Sequence, residues 1–223
     1  MSQRMPRFDL ALSQQAALAL KIVQAGEFMR ISGWTTGKTL WTQYRIEALY
    51  ELAFLRIFSC WEAIIEDVFY RSLCGYGFSS WMEQVMPSKR PSGRLYYPTI
   101  AAAEAAVLNG GDFLLWHDTH KVLSRYRQWL QPHAVSNHGQ ANVISSQQSM
   151  LQFFSRIRHR IAHSQQKDAR RKFDAATTQF ASRIYPASRP GSLLRDHVFG
   201  ISPPQTWLTH SVNTLVSLSQ QLV

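Results

Sequence analysis

Residues 39–73 contain neither proline nor glycine, and apolar side chains fall on almost every side of a helix drawn through them. At about 1.5 Å per residue such a helix is roughly 50 Å long. A helix that is apolar nearly all round must be covered by other elements, so it is expected to be the buried centre of the fold. At 100° per residue, Glu47, Glu51, Glu62 and Glu66 fall in one sector about 100° wide, with Leu55, Phe58, Ile65 and Phe69 between them. Carboxylates among aromatic rings need basic partners. The simpler reading is that they form structural ion pairs that dock other helices; the alternative is that some support a functional site.

The remaining chain reads as shorter helices joined by turns. Residues 9–29 have helical apolar spacing with Asp9 as a cap. Thr99 caps an alanine-rich helix to Leu108 that stops at Asn109-Gly110-Gly111, and a further helix is expected over 118–130. Ser145 or Ser146 opens a helix with Met150, Phe154, Ile157 and Ile161 on its core face. Helices follow over 168–185 and, from Ser202-Pro203, to Leu222, with a loop holding Pro186, Pro190 and Gly191 between them. Residues 75–98, rich in Gly, Pro, Ser and Tyr, form a long connection suited to a lid, a specificity element or a partner-binding insertion; 131–144 read as loop. No stretch alternates with period two for long enough to make a strand, so the fold class is all-α; 223 residues fit one large domain or two small ones, and a single domain is expected.

Several functions are disfavoured by the same residues. Gly33-Trp-Thr-Thr-Gly-Lys-Thr39 is one residue short between its glycines for a phosphate-binding loop and follows no strand, so it reads as an inter-helix turn. His117-Asp118-Thr119-His120 invites a metal reading, but Asp118 has an ordinary role there as a helix cap; no metal or cofactor is expected. Residues 48–69, the most apolar stretch, carry Glu51, Arg56, Glu62, Glu66 and Asp67 and cannot span a bilayer. Residues 10–23 are broken by Ser13, Gln14, Gln15 and Lys21, so no signal peptide is read there. Cys60 and Cys74, roughly 21 Å apart along one helix, are too distant for a disulfide. Free thiols and the lack of a leader together suggest a cytoplasmic protein.

Twenty-four Lys and Arg against 14 Asp and Glu give a net charge of +10. That excess favours a polyanionic partner, nucleic acid before an anionic membrane surface, unless the charge serves solubility alone. It is concentrated in Arg156-Ile157-Arg158-His159-Arg160-Ile161-Ala162-His163-Ser164, which holds three arginines and two histidines. With Arg158 at zero on the helix, the apolar residues lie near 260–320° and His159 and His163 near 100° and 140°, so the basic residues avoid the core face. A fixed cation beside a titratable imidazole suits chemistry on a phosphodiester. Arg127 and His133 have similar spacing, but Pro132 interrupts them and leads into a loop.

Arg158-His159-Arg160-Ile161-Ala162-His163, late in an α-helical chain, resembles the R-polar-x3-H signature of the HEPN (higher eukaryotes and prokaryotes nucleotide-binding) superfamily. His159 stands where that family often has asparagine. Residues 59–67, Ser-Cys-Trp-Glu-Ala-Ile-Ile-Glu-Asp, resemble the acidic, aromatic second helix of those domains. The resemblance implies an antiparallel helical bundle, here with an insertion at about 75–98 and a C-terminal extension at about 186–223. It also implies a metal-independent endoribonuclease of toxin or antiviral-defence type, working as a homodimer and restrained by an antitoxin or regulatory protein. Arg158 and His163 would be catalytic, Arg156, His159 and Arg160 would position phosphate, and Glu62 or Glu66 would orient Arg158 or the imidazole. The alternative is a silent HEPN-like module that binds RNA or a protein.

Overall fold

A computed structural model describes residues 3–32, 40–77, 86–111, 114–130 and 139–223. In chain order its helices are α1 (Phe8–Ile31), α2 (Gln43–Leu73), α3 (Ile100–Leu108), α4 (Thr119–Trp129), α5 (Gln140–Ser146), α6 (Gln148–Ala162), α7 (Lys167–Ala181), a 3₁₀ turn at Pro186–Ser188, α8 (Pro190–Arg195) and α9 (Trp207–Leu222). The fold is all-helical: among the described residues there is no β-strand, only isolated bridges. No helix among them is long and apolar enough to cross a membrane. The expected turn at 33–39, residues 78–85 of the expected connection at 75–98 and residues 131–138 of the expected loop at 131–144 lie outside the described residues.

α2 is the long helix expected, 31 residues without a break. The predicted caps of α3 and α4 are present: Thr99 accepts the Ala102 N–H at 3.1 Å, and Asp118 accepts those of His120 and Lys121. Asp9 sits inside the first turn of α1, where its two oxygens accept from Arg7 Nε and Nη2 at 2.8 and 2.7 Å.

Elsewhere the boundaries move. Residues 140–144, expected as loop, are helical in α5, and the Ser145 and Ser146 hydroxyls bond backwards to the Asn142 and Val143 carbonyls instead of capping α6. α7 ends four residues before Tyr185, at Ala181, where Ser182 takes a left-handed conformation. The proline-rich loop folds into the 3₁₀ turn and α8. α9 begins at Trp207, with Thr206 Oγ1 accepting the Thr209 N–H at 3.2 Å, so Ser202-Pro203 lies ahead of it.

The described residues divide into two compact units whose four boundaries fall inside α1, α2, α6 and α9. One comprises the described parts of Met1–Leu10, Trp61–Leu151 and Ser217–Val223. Its core is aromatic: Phe69 packs against Trp116 and Tyr126 with ring centres 5.5 and 5.1 Å apart, and the Tyr126 hydroxyl donates to the Ile65 carbonyl at 2.9 Å. The other comprises Ala11–Cys60 and Gln152–Val216 where described, and carries the basic motif. Leu12, Ala16 and Val23 of α1, Phe54 and Phe58 of α2, Phe173 of α7 and Leu208 of α9 are buried there.

Candidate functional site

α6 is held in its unit by aromatic contacts. Phe154 meets the edge of Phe54 at 6.3 Å, while Phe153 stacks on Phe180 of α7 at 4.7 Å and meets Trp207 of α9 at 5.2 Å. Phe154 and Ile157 are buried as their spacing predicted; Met150 and Ile161 lie at the edge of the core, half-buried. With that face fixed, Arg156 is exposed and Arg158, His159, Arg160 and His163 lie half-buried off the core face.

His159 and His163 are one turn apart, with ring centres 4.6 Å apart and planes inclined at 50°. The His163 N–H donates to the His159 carbonyl at 2.9 Å, which carries helical geometry past Ala162, and Gln166 Nε2 lies 3.4 Å from His163 Nδ1. Burial pushes the His159 imidazole below its ordinary pKa, and the charges of His163, Lys172 and Arg158 push it the same way. A histidine whose folded pKa is depressed favours the neutral form, so this contribution weakens the fold as pH falls through the ordinary histidine range. Lys172, tied to Asp168 at 2.5 Å, joins the site from α7. Neither residue was singled out from sequence; their i,i+4 charge pair was the only local signal.

The three arginines have different surroundings. Arg156 is exposed and Arg158 half-buried beside His159. Arg160 is turned to structural work: its Nε donates to the Ser188 carbonyl at 3.1 Å and its Nη1 to the Ser164 carbonyl. Ser188 is itself buried, donates to Asp174 Oδ2 at 2.9 Å and accepts from Arg170 Nε at 3.0 Å. It and Ala187 hold φ near +50°, a conformation disfavoured for side-chain-bearing residues, which these bonds keep in place. Arg160 thus ties the end of α6 to the 3₁₀ turn.

The acidic sector divides between the two units. Glu47 and Glu51 are in the motif's unit and take the docking role expected of the sector. Glu47 faces Arg189 at 2.9 Å, and Glu51 Oε1 accepts the Gly191 N–H at 2.9 Å, fastening α8 to α2. Glu62 and Glu66, expected to support the motif, are in the other unit: Glu62 lies 3.7 Å from His117, and burial with the nearby charges of Glu104 and Asp67 raises the Glu66 carboxyl. Asp118 caps α4, as expected; among the described residues no group of three or more His, Cys, Asp or Glu is gathered to hold a metal ion.

Glu51 gives a test of the docking. Burial raises its pKa, with the Glu47 charge adding to the shift against the Gly191 N–H. A carboxyl raised in the fold binds its proton more tightly folded than unfolded, so ionised Glu51 costs stability above its folded pKa, a cost relieved as pH falls. Glu51→Gln keeps an acceptor for Gly191 and removes the charge, so its melting temperature near neutrality is expected to equal or exceed that of the unmodified chain. Glu51→Ala orphans the N–H and is expected to cost about 1–3 kcal/mol. Thermal melts of the two variants check this; equal losses in both would contradict it.

No family model, curated protein or solved structure matches this chain.

Proposed function

We infer that the chain is a HEPN-type endoribonuclease that cuts RNA without a metal ion, and that Arg158 and His163 carry the reaction. The observation that supports this most is the placement of the half-buried Arg158 beside the adjoining His159 and His163 rings, off the core face of α6, in a chain of net charge +10. In this reading Arg158 holds the scissile phosphate and offsets charge developing on its nonbridging oxygens. The ribose 2′-oxygen attacks phosphorus and the bond to the 5′-oxygen breaks. One imidazole takes the 2′-hydroxyl proton and another protonates the leaving oxygen, His163 of each copy in a homodimer filling these two roles. The products are a 2′,3′-cyclic phosphate and a 5′-hydroxyl. Arg156 and His159 steer the backbone, and Arg160 positions the helix end.

Incubation of the chain with single-stranded RNA in EDTA is expected to yield fragments, while DNA of the same sequence stays intact because it lacks the attacking hydroxyl. Light scattering is expected to report a dimer; a monomer at high concentration would remove the two-copy site. An RNA-cutting enzyme must be restrained in its own cell, which fits a toxin or defence effector paired with an antitoxin or regulatory protein.

A second reading, a silent RNA- or protein-binding module, is favoured by the engagement of His163 with Gln166 and the His159 ring. It predicts RNA binding with no cleavage.

A further inference from the structure

In the unit that carries the motif, a cavity of about 450 Å³ is lined by Arg183, Arg189 and Arg195 and by the carboxylates that hold them. Neither Arg158 nor His163 lines it, so a ligand held there is independent of the ribonuclease reading. Arg195 pairs with Glu27 of α1 at 2.5 Å, Arg189 with Glu47 of α2 at 2.9 Å, and Arg183 with Asp196 at 2.9 Å. A space of this size is typical of small-molecule sites, and paired charges are a costly way to line a space whose only role is structural.

The hydrogen bonds show which chemistry the cavity lacks. The carboxylates of Glu27 and Asp196 are well supplied. Glu27 accepts from Arg195 through both oxygens, from the Tyr50 hydroxyl at 3.3 Å and from Arg30 at 3.3 Å. Asp196 Oδ2 accepts from Arg183 and the Tyr185 hydroxyl, and Oδ1 from the His197 N–H. Glu47 Oε1 accepts from Gln43 at 2.9 Å, while the buried Oε2 is ion-paired with Arg189 Nη1 at 2.9 Å and, like Arg189 Nε, has no hydrogen-bond partner.

The guanidiniums are not. Each has five N–H donors, yet among the described residues Arg183 commits only Nη1, Arg195 commits Nε and Nη2, and the buried Arg189 Nε has no hydrogen-bond partner. Among the lining residues three guanidiniums stand against three carboxylates, and Arg30, outside the lining, adds a fourth guanidinium at Glu27. Burial pushes the Glu27 carboxyl up, but Arg195 and Arg30 outweigh it and hold it below the ordinary range, so it stays ionised and keeps Arg195 fixed. Forks already held by carboxylates lose little freedom when they take up a ligand.

The geometry points to a binding site for a small anion rich in acceptor oxygens, a phosphoryl or carboxyl compound, gripped by the uncommitted edges of Arg183, Arg189 and Arg195.

Thermal melts and calorimetry of the full chain with inorganic phosphate and, separately, citrate, against sodium chloride at matched ionic strength, test the site. A saturable stabilisation beyond the chloride control is expected, about 5–10 °C at a hundredfold excess over Kd; the anion that binds more tightly identifies the phosphoryl or carboxyl class. Arg183 is 60 % exposed, so Arg183→Gln leaves the fold intact and is expected to weaken binding tenfold or more. Ser192→Tyr, which fills the cavity, is expected to abolish it, whereas Arg158→Ala leaves it unchanged. No saturable effect in the unmodified chain, an effect that persists undiminished in Arg183→Gln, or one lost in Arg158→Ala would overturn the assignment.

Discussion

Gly191→Ala is expected to lower the melting temperature by about 4–10 °C, the effect of roughly 1–3 kcal/mol of overpacking in a chain of this size. A Cβ on Gly191 would lie 2.4 Å from the Glu47 carbonyl oxygen and 2.6 Å from its carbonyl carbon and Cβ. These atoms are the backbone and Cβ of a buried residue in the second turn of α2 and cannot withdraw as a flexible side-chain tip could. α8 must lift instead, which strains the Gly191–Glu51 bond, the Arg189–Glu47 pair and, through Ser188, the anchor of Arg160. Gly139, whose added Cβ would meet nothing within 4 Å, is the control; Gly139→Ala is expected to melt close to the unmodified chain. An unchanged melting temperature in Gly191→Ala would mean that α8 does not rest on α2 as described.

His163→Ala and Arg158→Ala are each expected to reduce RNA cleavage by about 10²–10⁴-fold, the range for loss of a positioned proton-transfer group or a charge stabiliser. Neither side chain belongs to the buried core, so both variants should melt near the unmodified chain. Arg160→Ala should behave differently. It removes the links to Ser188 and Ser164, so its loss of activity should be accompanied by a lowered melting temperature. Cleavage rates and melts on the same preparations separate the two patterns, and full activity in His163→Ala would reject its catalytic role.

Local physics explains which elements could be read in advance. α2 follows from an unbroken run of helix-compatible, mostly apolar residues, and the starts of α3 and α4 from Thr99 and Asp118, whose side chains bond the backbone just ahead of them. α8 could not be read this way. Pro190-Gly191 looks like a turn, and its N–H is held by Glu51, 140 residues earlier in the chain. Ser145 and Ser146 have the chemistry of caps, but their hydroxyls found acceptors behind them instead.

The outward face of α6 was legible because helical spacing separates Arg158 and His163 from Phe154 and Ile157. The contribution of Lys172 and Asp168 was not, because it comes from the packing of the next helix. Nor could spacing say which carboxylates of the acidic sector would share a unit with the motif. Glu47, Glu51, Glu62 and Glu66 fall on the same side of α2, and the tertiary fold divides them between its two units.

Mass spectrometry of the RNA fragments left by the unmodified chain and by His163→Ala, side by side in EDTA, tests the central claim most directly. Fragments ending in a 2′,3′-cyclic phosphate are expected from the unmodified chain and none above background from His163→Ala. Cyclic-phosphate fragments at undiminished yield with His163→Ala, or fragments ending in a 3′-hydroxyl from the unmodified chain, would contradict it.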